Sequence, residues 1–196
     1  MERAAERHRN GPRAIPAQFE HSRFVGAGVL GALIGFLAAK VKGVEVTLVD
    51  INPARAEIAK AFGIGFATPA DAPGDRDLVF HTSASAAGLS TALDLCADEA
   101  TVLELSWYGA GTVPVPLGGA FHSRRLKLIS SQVGKVAPSR RATHSYRKRL
   151  EEAMAYLADK RLDALLAEPV KFHALPARLP DIFAPQSGIL CQLITY

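Results

Sequence analysis

The spacing of apolar and polar positions changes several times along this chain, and each change marks an element. From Phe24 to Ala39 sixteen residues run without a charge, FVGAGVLGALIGFLAA. Glycines open that run, and its later part has the density of a buried helix. Val44 to Asp50, VEVTLVD, then reads as a strand ending on an acid. Asn52 and Pro53 suit an N-cap and a first helical position, so the spacing predicts a short helix over 54–62. Gly63 closes it, and a third strand follows over 64–67.

The alternation continues after a turn-rich connection, TPADAPGDRD. A fourth strand is expected at Leu78–His81, a helix at Ala86–Ala97 and a fifth strand at Thr101–Leu105. Thr112–Pro116 alternates apolar residues with prolines, which permits an edge strand and not a central one. A sixth strand is expected at Leu126–Ser130. Beyond Ser139 a helix places Tyr146, Leu150, Ala153, Met154 and Leu157 on one face, a stripe read as core. The closing stretch, Gly188–Tyr196, reads as a strand.

Strands alternating with helices predict an α/β fold with a parallel sheet. Its first strand is the weak point. A central parallel strand is normally an apolar run, yet only Phe24 and Val25 suit one here, after Gln18-Phe19-Glu20-His21-Ser22-Arg23. Residues 1–23 are charged and without a sustained period, and are read as a mobile tail. The first strand is therefore expected to be stunted, behind a truncated or frame-altered start.

The glycines carry the chemistry. Gly26-Ala27-Gly28-Val29-Leu30-Gly31 is G-x-G-x-x-G, and Asp50 stands nineteen residues after its third glycine. That is the layout of a dinucleotide-binding βαβ unit. Gly26 permits a sharp turn, Gly28 lets backbone approach a pyrophosphate, and Gly31 lets helix and sheet pack closely. The N–H groups of Val29 and Leu30 would face phosphate oxygens at the positive end of the helix. Asp50 would accept hydrogen bonds from a ribose diol and repel a 2′-phosphate, so NAD is favoured over NADP.

Composition changes this picture little. The 196 residues carry a formal net charge of +4 and are 48% apolar, enough for one domain with a sizeable core. The charge is uneven: residues 123–149 hold nine Lys or Arg and no Asp or Glu. With no nucleic-acid motif present, this run is read as a solvated basic face, and neither nucleic acid nor membrane is expected as a partner. As a helix, the uncharged run would span ~24 Å at 1.5 Å per residue, short of the ~30 Å hydrocarbon core. A strand follows it at once, unlike a signal peptide or an anchor. Cys96 and Cys191 have no C-x-x-C partner and fit a reducing compartment, here the cytoplasm.

With those residues placed, the chain from Val25 to Tyr196 resembles the C-terminal Rossmann portion of a medium-chain, zinc-type alcohol dehydrogenase. The resemblance rests on VGAGVLGALIGFLAAKVKGVEVTLVDINPARAEIAKAFG, DLVFHTSASAAGLSTALDL, TVLELSWYG and the closing strand. It implies a doubly wound parallel sheet over 24–160 and a C-terminal segment over 161–196 that would pack on a missing catalytic domain. It implies NAD-dependent hydride transfer between nicotinamide and an alcohol or carbonyl. Gly26, Gly28, Val29, Leu30 and Gly31 match the pyrophosphate turn, and Asp50 the ribose acid. Arg55, Thr82 and Ser83 match positions beside the adenosine. Ser106, Trp107 and Ser130 match positions near nicotinamide. Val113–Val115 matches an edge strand through which family members form homodimers. The family usually has glycine where Ala84 and Ser106 stand. Its zinc ligands and proton relay lie in the N-terminal domain, so no catalytic or metal-binding residue is assigned to this chain. A non-catalytic nucleotide-binding or interaction module from a truncated gene is the alternative.

Overall fold

The computed structural model describes residues 21–184 and 187–196; of the tail expected over 1–23, residues 1–20 lie outside the described residues, and 21–23 belong to the first strand. Six strands form one parallel sheet: β1 His21–Val25, β2 Glu45–Val49, β3 Gly65–Ala67, β4 Arg76–His81, β5 Cys96–Glu104 and β6 Lys127–Ser130. Their order is β3-β2-β1-β4-β5-β6. Between them lie α1 Val29–Ala38, α2 Ala56–Phe62 and α3 Ala86–Asp94. The chain thus winds outward from β1 in one direction and then, past β4, in the other, the doubly wound arrangement.

Local signals set most boundaries. The Asn52 side chain accepts from Ala54 N, and Pro53 starts a short 3₁₀ turn that runs into α2. Gly63 ends α2 at φ 70°. The Ser85 side chain caps α3 by accepting from Gly88 N. β5 starts earlier than expected, because Cys96 pairs with Arg76 across an irregularity in the β4–β5 ladder.

The first strand corrects an expectation. β1 is not stunted: it has five residues, takes in Ser22 and Arg23, and is paired along its length to β2. Four of its residues pair with β4 on the other side. Backbone pairing on both sides holds the polar half in place, and Ser22 and Arg23 are buried. Phe24, fully buried, stacks on Phe80 with ring centroids 4.4 Å apart.

Arg23 is held at a cost. Its Nη1 donates to the Ser22 carbonyl at 3.2 Å, while its buried Nε has no partner. Burial, and then the charge of Arg76, lower its pKa to about 10. Arg23→Leu is therefore expected to raise the unfolding free energy by about 1–3 kcal/mol, the cost of a buried unsatisfied polar group. Urea melts of both proteins would measure it, and a lower midpoint for the leucine variant would refute the account.

Two apolar clusters cover the sheet. One gathers Phe24, Phe36, Leu48, Ile58 and Phe62 under α1 and α2, and Leu162 and Leu165 join it. The other gathers Val25, Val49, Val79, Leu89, Leu93 and Val102 around α3. Lys40 and Arg161 both pair with Asp159 and lie over the Phe36 ring, tying the chain after residue 158 to α1. Those hydrogen bonds, Arg161 first and Lys40 second, hold the Asp159 carboxyl well below the usual carboxylate range.

Two further expectations change, and the closing strand forms as expected. Residues 113–115 form no strand; Val113 and Val115 lie against the second cluster, and β6 is the sheet's edge. The helix after Ser139 is α4, Tyr146–Tyr156, and its stripe is not core: Tyr146, Leu150, Met154 and Leu157 are each 58–64% exposed. β7 Leu166–Lys171 and the closing strand β8 Cys191–Thr195 pair in parallel as a separate small sheet, with α5 Leu175–Ile182 between them.

The two cysteines differ sharply. Cys96 is fully buried, its Sγ donates to the Ala92 carbonyl at 3.3 Å, and burial pushes its thiol up to about 12. Cys191 is partly exposed. A thiol reagent near neutral pH should label only Cys191 in the native protein, and both after denaturation. Rapid native labelling of Cys96 would contradict the burial.

Candidate functional site

Ligands of open α/β sheets bind at the carboxyl ends of the strands, where the winding reverses. Here that point lies between β1 and β4, and the glycine turn stands over it. Gly26 leaves β1 at φ 104°, its N–H donating to the Val49 carbonyl at 2.8 Å. A Cβ on Gly26 would come within 2.7 Å of Ser83 N. A Cβ on Gly31 would collide with the Gly26 carbonyl oxygen and lie 2.6 Å from Thr82 Oγ1. Gly28 differs: a Cβ there would meet nothing within 4 Å. Its outer side is open, and it is the N-cap of α1 with no side chain satisfying the first-turn N–H groups. Room and unsatisfied donors together fit a pyrophosphate.

Asp50 follows β2 and faces this turn. Its Oδ2 accepts from Ala27 N at 2.7 Å and its Oδ1 from Asn52 N at 2.8 Å. Thr82 braces the turn from β4, its Oγ1 donating to the Gly26 carbonyl at 2.7 Å. Gly26, Gly28, Val29, Leu30, Gly31, Asp50, Thr82 and Ser83 therefore gather at one end of the sheet.

The remaining candidates divide. Arg55 donates from Nη1 to the Gly188 carbonyl at 2.7 Å, so it fastens the C-terminal segment. Ser106 stands just beyond β5, and its Oγ accepts from Ala84 N at 3.1 Å. Trp107 is 88% exposed. Both line an open cleft of about 970 Å³ with Leu30 and Ile34 of α1 and with Ser131 and Gln132. Ser130 ends β6 one residue short of that lining. Ala84, where the resembled family usually has glycine, sits at φ 50°, a left-handed conformation that glycine adopts more readily.

A buried polar network beside these loops escaped the sequence reading. His81 is completely buried at the end of β4. Its Nδ1 lies 2.7 Å from Glu104 Oε2, and its Nε2 2.7 Å from Ser83 Oγ. Glu104, the last residue of β5, also accepts from Ser106 N at 2.7 Å and from the Tyr108 hydroxyl at 3.2 Å. Burial, and then the Glu104 charge, push the Tyr108 phenol up to about 12. The network ties the loop after β4 to the loop after β5. Its signal in the sequence was a histidine ending one expected strand and a glutamate one residue before the end of the next.

Among the described residues, no three of His, Cys, Asp and Glu converge on a site that could hold a metal ion. The described residues therefore do not fit a zinc site. No described helix is long and apolar enough to cross a membrane.

No protein-family model and no curated protein sequence matches the chain. Solved structures do. Alcohol dehydrogenase TADH from Thermus sp. ATN1 superposes with TM-score 0.69 at 19% identity, over 91% of this chain and 52% of its own. A protein from Escherichia coli CFT073 described as a short chain alcohol dehydrogenase, complexed with cofactor NADH, superposes with TM-score 0.65 at 17% identity, over 90% and 52%. A Sinorhizobium meliloti protein described as a zinc-binding dehydrogenase, bound to NADP, gives TM-score 0.68 at 17%, over 90% and 52%. The chain shares the fold of these dehydrogenases. The chain spans about half the length of these dehydrogenases. Within the dehydrogenase fold, the glycine turn and Asp50 stand at the winding reversal expected of a dinucleotide site.

Proposed function

We propose that this chain is the nicotinamide-binding portion of an alcohol dehydrogenase-type oxidoreductase. The observation that carries the reading is the open face of Gly28 at the uncapped start of α1, with Asp50 beside it. The N–H groups of Val29 and Leu30 would hold the pyrophosphate, and Asp50 the adenosine ribose. Thr82 and Ser83 would flank the adenosine; Arg55, already bonded to Gly188, would border it. Ser106, Trp107 and Ser130 would lie toward the nicotinamide. When bound, nicotinamide supplies or accepts the hydride. This chain's residues bind and orient it, and no proton-transfer or zinc step is assigned to them.

NAD is preferred over NADP in this reading, because a 2′-phosphate would meet the Asp50 carboxylate. Calorimetric titration with NADH and NADPH tests it. NADH is expected to bind the more tightly. Asp50→Ala is expected to weaken NADH by about tenfold or more, the worth of hydrogen bonds to a charged acceptor, and to narrow the gap to NADPH. Absence of heat at millimolar NADH would favour the second reading, a non-catalytic interaction module. The exposed apolar face of α4 is what supports that alternative.

A further inference from the structure

The basic run 123–149 divides in two in the folded chain. Arg124, Arg125 and Lys127 serve the β5–β6 side of the sheet: Arg124 Nη1 donates to the Cys96 carbonyl at 2.6 Å, Arg125 pairs with Glu99, and Lys127 donates to the Glu99 carbonyl. Lys135, Arg140 and Arg149 instead line the cleft beside Trp107. The rest of that lining is largely apolar, with Leu30, Ile34, Leu105, Val133 and Val136.

The nearby acids do not neutralise these three cations. On α4, Glu151 pairs with Arg147 at 2.8 Å and Glu152 with His144 at 3.5 Å. The side chains of Lys135 and Arg140 have no ion-pair or hydrogen-bond partner among the described residues. Arg149 is positioned by one bond, Nη2 to the Val133 carbonyl at 3.1 Å, and keeps further N–H groups. Arg141 braces the same loop through Nε to the Val136 carbonyl. An apolar cleft walled by an excess of cations selects a ligand with an apolar body and an anionic head.

We propose that Lys135, Arg140 and Arg149 form an anion subsite in this cleft and that the substrate carries a carboxylate or phosphate. The proposal deepens the reading above and rests on it in one respect: the cleft is where nicotinamide would meet substrate. A concave cleft with three cations suits a small anion better than a polynucleotide, which needs a charged track.

Trp107 is the chain's single tryptophan and lines the cleft, so its fluorescence reports occupancy. The full chain would be titrated with phenyl phosphate, benzoate and benzyl alcohol, with and without NADH. At least one anionic probe is expected to saturate the signal and bind about tenfold or more tighter than the neutral alcohol, as charge-assisted hydrogen bonds imply. Arg140→Gln and Lys135→Gln should each weaken it severalfold, and added salt should weaken it in the unaltered chain. Equal affinity for benzyl alcohol, or no change in either variant, would overturn the proposal. So would a single-stranded oligonucleotide that outcompetes phenyl phosphate. If NADH affinity falls in Arg140→Gln as far as probe affinity does, the cations serve the cofactor's phosphates and the subsite is refuted. Anionic probe binding without any NADH binding would sustain the subsite and sink the nicotinamide reading.

Discussion

Replacing Glu104 by leucine is expected to lower the unfolding free energy by about 3–5 kcal/mol, the cost of breaking a buried polar pair from one side. The size follows from what the carboxylate serves. It is within 2.7 Å of His81 Nδ1, accepts from Ser106 N at 2.7 Å and from the Tyr108 hydroxyl at 3.2 Å. Leucine would leave all three without that acceptor, around an imidazole that water does not reach. Glu104→Gln keeps one acceptor oxygen and should cost less. Urea unfolding of the two variants measures the difference. A leucine variant within about 1 kcal/mol of the parent would mean that the network relaxes freely, contrary to the packing around His81.

The second large effect is expected at Gly31. Gly31→Ala should cost about 3 kcal/mol, the upper part of the usual range for overpacking, and abolish the NADH titration. The added methyl would run into the Gly26 carbonyl oxygen, which is backbone, and into Thr82 Oγ1 at 2.6 Å. Thr82 cannot yield without releasing its bond to the same carbonyl. α1 must therefore move off the sheet, taking with it the N–H groups offered to the pyrophosphate. Gly28→Ala is the control: nothing lies within 4 Å of its Cβ, so stability should hold while any loss appears in NADH affinity alone. Equal destabilisation by both alanines would show that the helix–sheet approach is not what Gly31 provides.

These two sites differ in how well the sequence announces them. Gly31 belongs to a spaced motif whose meaning is local: a turn, a helix start, a close approach. His81 and Glu104 are 23 residues apart and become neighbours only because β4 and β5 pair in register. Arg23 shows the same limit from the other side. Its charge argues against a central strand, yet pairing with β2 and β4 keeps it there. Periodicity also misleads at α4. It correctly puts Tyr146, Leu150 and Met154 on one face, but a face is core only when something covers it, and here they are exposed.

By itself the sequence determined the order of strands and helices in the main sheet, the glycine turn with its acid at Asp50, and the caps at Asn52 and Gly63. Those features depend on φ, ψ and hydrogen bonds among residues a few positions apart. Only the tertiary structure decided that a polar first strand lies at the sheet's centre, that Glu104 holds His81, and that one part of the basic run faces the cleft while another braces the sheet. Each of these is a contact between distant segments, set by strand register and packing rather than by local backbone preference.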